Sequence, residues 1–215
     1  MKLVKGLLAS PTLLTLVGFL GIRATLVEAR YIPSGSMLPE LQIQDRLLVE
    51  KVSKHRGFPR RGDILVFNSP YRFSRIGAGL PDPFPGQCAL ASVPLLSVGF
   101  QHRKCDAYIK RVVGLPGEVV RIDRSGAVWI NGQWLDEPYV RNWCSPQQPC
   151  SPLTIKVSPG AVLVLGDNRP NSQDSRFWGA LPSDEIIGTA RFRFWPPGQF
   201  GNLPEAYSDL AQQDR

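Results

Sequence analysis

Apolar positions fall along this chain in three patterns, and each predicts a different kind of element. From the first residues to Ile22 they follow one another almost without a break, behind Lys2 and Lys5. A run of roughly 16 to 20 apolar residues is near the length a bilayer requires, which predicts one membrane-spanning helix. Pro11 lies about a turn inside it, where lipid-facing helices sometimes tolerate one. From Asp45 onward the apolar positions come in short bursts punctuated by Gly, Pro, Asn and Ser, the pattern of strands and turns. In the third pattern neither period holds. Residues 68–106 are rich in Gly and Pro around the apolar patch "CALASVPLLSVGF", and the tail after Pro196 is polar.

The bursts can be read individually. "DRLLVEKV" (45–52), "GDILVF" (62–67) and "AYIKRVVG" (107–114) predict strands. "EVVRIDRSGAVWINGQWL" holds three short strands split by Ser-Gly and Asn-Gly, both hairpin signals. "LTIKV" and "AVLVLGDN" follow, and "TARFRFW" (189–195) sets Ala, Phe and Phe against two arginines with a period of two. The expected fold is mainly β, built of antiparallel sheets. The expected organisation is an anchor over 1–30, a β-rich domain over 31–196 with 68–106 as an excursion, and a loosely ordered tail over 197–215.

Two other readings of the first segment stay open. A cleaved signal sequence has the same charged start and apolar middle, and Val27 and Ala29 sit at the small-residue spacing of a cleavage site. A buried core helix is the third, weakened by the absence of polar periodicity. A retained anchor is preferred, because a cut after Ala29 leaves the turn discussed below almost at a free N-terminus.

The 215 residues suffice for one good-sized core. Twenty Gly and twenty Pro agree with a turn-rich β protein. A net charge of +7 raises nucleic acid or anionic lipid as partners. The cations are scattered, with no dense cluster and no nucleic-acid motif, so nucleic acid is set aside. Cys144 and Cys150 bracket "SPQQP", a loop easily closed by a disulfide, and Cys88 and Cys105 bracket a longer one. Three pairings are possible, and spacing does not choose among them. No cofactor or metal is expected, since zinc spacing is absent and His55 and His102 stand far apart.

The candidate chemistry starts at "YIPSGSMLPE" (31–40), two serines one glycine apart directly after the apolar run. A serine needs a base to attack near neutral pH, and neither histidine has a recognisable catalytic context. Lys110 lies within "YIKRVVGLPGE"; turned inward, its amine loses water and its pKa falls. On composition alone, a solvated strand lysine beside Arg111 is the simpler reading. "GDNRPNSQDSRFWG" (166–179) is a dense polar loop, readable as structure held by an Asp174–Arg176 pair.

Taken together and in order, "IPSGSMLP", "GDILVF", "YIKRVVGLPG" and "GDNRPNSQDSR" closely resemble the type I signal peptidase family, over about residues 15 to 195. The resemblance implies a signal-peptidase-like catalytic domain on one transmembrane helix, cleaving signal-peptide-bearing precursors after Ala-X-Ala at a lipid membrane. It implies Ser36 as nucleophile, Lys110 as general base, and Ser34 with the Ser36 amide as oxyanion hole. It implies Ser172 hydrogen-bonded to the lysine, with Asp167, Asp174 and Arg176 in support. Ile32, Met37, Leu41, Tyr108 and Ile109 fall where the family lines pockets for small side chains. Disulfides favour a single-pass protein with its bulk on the non-cytoplasmic side, whether periplasmic, extracellular or thylakoid-lumenal. Fourteen residues from Ile22 reach at most about 45 Å, so Ser36 stays near the bilayer. Glu40, Gln44 and Pro170 depart from the family pattern, Gln44 standing where Gly is frequent.

Overall fold

The computed structural model describes residues 11, 12, 15, 18, 21, 26–52, 57–88 and 102–204. Two sheets dominate it, and every strand pair is antiparallel. The larger uses β1 (Val27–Tyr31), β2 (Arg46–Glu50), β3 (Ile64–Asn68) and β4 (Ala107–Gly114). With them run β9 (Ala161–Leu165), β10 (Leu181–Pro182), β11 (Ile186–Trp195) and β12 (Gly201–Asn202). Its order is β1-β2-β11-β3-β4-β9-β10, with β12 on β11. The smaller joins β5 (Val119–Ile122), β6 (Val128–Ile130), β7 (Gln133–Trp134) and β8 (Leu153–Lys156) in the order β7-β6-β5-β8.

The continuous apolar runs are strands buried on both faces. In β3, Ile64 and Val66 pack with Ile32, Met37, Leu47 and Val49, while Leu65 and Phe67 pack with Val112, Trp178 and Leu181. In β9, Val162 and Val164 join that second cluster, and Leu163 and Leu165 meet Val120, Ile122 and Val128 of the smaller sheet. A side-chain period of two with apolar groups on both sides produces such a run. The Asn-Gly turn between β6 and β7 forms with positive φ at Asn131 and Gly132, as a tight primed turn demands.

The sheet extends beyond the expected limits at both ends. β1 begins at Val27, inside the segment read as anchor, and Ala29 pairs with Leu48. The two small residues are therefore strand positions. Most of the expected span lies outside the described residues; among those described, no helix is long and apolar enough to cross a membrane. At the other end β12 pairs with Phe192 and Arg193, and Leu203 is buried in the first cluster. The scattered apolar residues of this polar tail gave no periodic signal. Residues 205–215 lie outside the description.

The excursion leaves the sheet at Asn68, which pairs with Ala107. It opens with a helical turn, Pro70–Phe73, capped by Ser69. Its cysteines pair as Cys88–Cys105, and Cys144 pairs with Cys150. Of the apolar patch, all but Cys88 lies outside the described residues.

Candidate active site

Ser36 sits in the loop 32–45 that joins β1 to β2. The loop is clasped at its neck: the Ile32 N–H donates to the Asp45 carbonyl and the Gln44 N–H to the Ile32 carbonyl, both at 2.9 Å. Met37 and Leu41 are fully buried and fill it from inside. Gln44 turns the chain back with φ of 78°, a conformation costly for a residue with a Cβ. That is the physical reason a glycine suits the position. Glu40 turns toward Arg193 of β11, whose guanidinium also reaches Asp45. The negative charge at this departure is thus met by a cation.

Lys110 stands in β4 opposite Leu65 of β3. Its Nζ donates to Ser36 Oγ and to the Ile109 carbonyl, each at 2.8 Å. The side chain is 4% exposed. Loss of water lowers its pKa from 10.5 to about 8; Asp174 and Asp167 oppose that fall and Arg176 assists it. Sequence placed this lysine among apolar neighbours. What meets it comes from elsewhere in the chain: the Ser36 hydroxyl of the serine loop and the charges of Asp167, Asp174 and Arg176.

The polar loop after β9 is a support built of ion pairs. Asp174 holds Arg176 at 2.8 Å and accepts the Gly166 N–H at 3.1 Å. Asp167 takes Arg111, the neighbour of Lys110, at 2.6 Å. Arg169 pairs with Glu137 at 2.5 Å, and the Tyr139 hydroxyl donates to the same carboxylate. All three arginines are buried, which such cations tolerate only when paired. Pro170 fits the 3₁₀ turn Arg169–Asn171. Gly166 is closely packed: a Cβ there would lie 2.2 Å from Ser172 Oγ and 2.5 Å from the Ser36 carbonyl oxygen.

An open cleft of about 790 Å³ runs past Ser36 and Lys110. Residues 30–36 and Leu38 form one wall, Val66 and residues 106–110 the other, and Asn168, Asn171 and Gln173 complete it. Four antiparallel steps, β1 to β2 to β11 to β3 to β4, make β1 and β4 parallel to each other. β1 ends the sheet, and β9 joins β4 only from Arg111 onward. Among the described residues, therefore, two unpaired strand edges border the cleft, and an extended peptide can add to an open edge by backbone hydrogen bonds. Among the described residues no cluster of His, Cys, Asp and Glu is arranged to hold a metal.

A family profile described as "Signal peptidase, peptidase S26" matches residues 6–195. The chain belongs to this family. Signal peptidase I of Leptolyngbya laminosa is 45% identical over 196 residues, spanning 90% of this chain and 82% of the relative. Probable signal peptidase I-2 of Synechocystis sp. is 41% identical over 186 residues, 86% of this chain and 71% of the relative. A solved signal peptidase I structure from Enterococcus faecalis is 28% identical, with a TM-score of 0.41, and covers 62% of this chain and 97% of its own. As a signal peptidase relative, the chain is a hydrolase.

The structure places the residues named by the signal peptidase resemblance around and beneath this cleft. Ser34, Ser36 and Lys110 line the cleft, as do Ile32, Tyr108 and Ile109. Met37 and Leu41 do not: they point into the core beneath the serine loop, because the loop needs an apolar plug. The hydrogen bond expected from Ser172 to the lysine is absent. Ser172 Oγ is buried with no partner among the described residues, and the Lys110 amine is turned to Ser36 and the Ile109 carbonyl instead. Sequence reasoning missed Asn168, whose N–H and side chain grip the serine turn. The polar density of its loop was the available signal.

Proposed function

We propose that the protein is a membrane-tethered serine endopeptidase that removes signal peptides from exported precursors, cutting after Ala-X-Ala. The observation that carries this reading is the 2.8 Å contact between a buried, partly neutral Lys110 amine and Ser36 Oγ. In its neutral form the amine takes the Ser36 proton as Oγ attacks the scissile carbonyl. It passes that proton to the leaving amine, then draws one from the water that releases the acyl group. The carbonyl oxygen gathers charge as the tetrahedral intermediate forms. The Ser36 N–H, which donates to no group among the described residues, receives that charge together with the exposed Ser34 hydroxyl. Ser172 steadies the lysine once its hydroxyl rotates toward the amine.

The precursor chain lies extended between the two free edges, its small side chains over Ile32, Tyr108 and Ile109. The apolar N-terminal segment holds the cleft at the membrane, on the non-cytoplasmic face, where precursors emerge. The test is cleavage of a purified precursor with an Ala-X-Ala site in detergent by the full chain, Ser36→Ala and Lys110→Ala. A single cut after the second Ala, absent in both variants, is expected. A cut that survives in Lys110→Ala refutes the base, and no cut by any form refutes the protease.

A further inference from the structure

The peptide unit between Gly35 and Ser36 carries, on its trans edge, the N–H that the proposed mechanism aims at the oxyanion. A peptide unit is planar, so whatever fixes its carbonyl fixes its N–H in the opposite direction. Asn168 does this. Its side-chain Nδ2 donates to the Gly35 carbonyl at 3.0 Å, and its main-chain N–H donates to the Ser36 carbonyl at 3.1 Å. One residue thus holds two consecutive carbonyls of the nucleophile turn. The Leu38 N–H also reaches the Gly35 carbonyl, at 3.2 Å, from within the turn itself.

The carboxamide has one orientation available. Asn168 is 5% exposed, and its Oδ1 is buried with no partner among the described residues. A flipped amide would set Oδ1 against the Gly35 oxygen, two acceptors facing each other. The 166–168 segment is also packed hard on the turn, leaving no room for a side chain at Gly166 beside the Ser36 carbonyl oxygen. Asn168 lines the cleft but makes no hydrogen bond to Lys110 Nζ, which donates to Ser36 Oγ and the Ile109 carbonyl.

We propose that Asn168 is a positioning residue for the reaction: its carboxamide orients the Gly35–Ser36 peptide so that the Ser36 N–H faces the developing oxyanion. This rests on Ser36 being the nucleophile. The role differs from that of Lys110, so its loss should weaken binding of the tetrahedral state and leave proton transfer in place.

The test uses the full chain in detergent, with Asn168→Ala and the isosteric Asn168→Asp, which loses the Nδ2 donor and keeps the shape. Affinity for a substrate-like peptide aldehyde, which adds to a serine as a tetrahedral adduct, is compared with affinity for an uncleavable peptide of the same sequence. Adduct formation on wild-type Ser36 is established first by mass spectrometry; its absence would overturn the nucleophile reading itself. The expected result is kcat and aldehyde affinity falling together by about 10- to 100-fold, approaching the loss of one oxyanion donor. In Asn168→Ala, uncleavable-peptide affinity stays within about twofold of wild type and the melting temperature within about two degrees; Asn168→Asp, whose carboxylate oxygen would face the Gly35 carbonyl, is judged by the aldehyde against the uncleavable peptide alone. Equal losses for aldehyde and uncleavable peptide, or a loss confined to KM, would show that Asn168 only lines the cleft and overturn the proposal. Unchanged kcat in both variants would overturn it as well. Should Asn168→Ala fail to fold, the same comparison in Asn168→Asp decides.

Discussion

Replacing Lys110 with methionine should make the protein more stable at neutral pH and less stable in strong base. The amine is nearly inaccessible, and its pKa is lowered from 10.5 to about 8, chiefly by desolvation. Between those values the unfolded chain binds more protons than the folded one, so native stability rises with pH through the window. Below pH 8 both states are charged and the full cost of burying the cation is present. At about 1.4 kcal/mol per pH unit, that cost is about 3 kcal/mol. Methionine has similar length and no charge, so it escapes the cost. It also forfeits the donors to Ser36 Oγ and the Ile109 carbonyl, at about 1 kcal/mol each. The variant should therefore be about 1 kcal/mol more stable than wild type at pH 7 and about 2 kcal/mol less stable near pH 10.5. Urea unfolding of the full chain in mild detergent, followed by near-ultraviolet circular dichroism at steps of one pH unit, measures the difference. Other titrating groups cancel between the two proteins. A difference that stays constant within about 0.5 kcal/mol from pH 7 to 10 would refute a lowered lysine pKa.

The same titration shapes the rate. With the base active only when neutral, kcat/KM for a peptide substrate should rise about tenfold from pH 7 to 9 and level off, and a flat profile across that range refutes a lysine base. Gly166→Ala should lower kcat by at least about tenfold, because the new Cβ meets Ser172 Oγ and the Ser36 carbonyl and displaces the nucleophile; wild-type kcat in a folded variant would show that the turn gives way freely. Gln44→Gly should stabilise the fold by up to about 1 kcal/mol by relieving the positive φ, read as a raised urea midpoint. Glu137→Gln removes the charge facing Arg169 and should cost about 3 kcal/mol; an unchanged midpoint would mean that the arginine finds water or another anion.

Much of the architecture was legible because strand periodicity is local. β4 forms over the stretch "AYIKRVVG", and the Asn-Gly turn closes where its dipeptide stands. β1 and β12 were missed because each is defined by the partner it pairs with, β2 for one and β11 for the other. Their own residues carry no strong alternation. The Asp174–Arg176 pair was readable, since its members stand only two positions apart. Arg169–Glu137 and Arg111–Asp167 were not, because their partners come from distant parts of the chain.

By itself, then, the sequence determined the β-rich class, the turn that carries Ser36 and the apolar strand that carries Lys110. Only the tertiary structure decided that these two side chains, 74 residues apart, meet at 2.8 Å. It also decided that Met37 plugs the loop while its neighbour Ser36 faces the cleft, and that the Ser172 hydroxyl lies buried with no partner among the described residues. The reason is that a residue's period fixes the face on which it stands within its own element. The water, charge and partners that face meets come from other elements, and these set the pKa of the lysine and the direction of the serine.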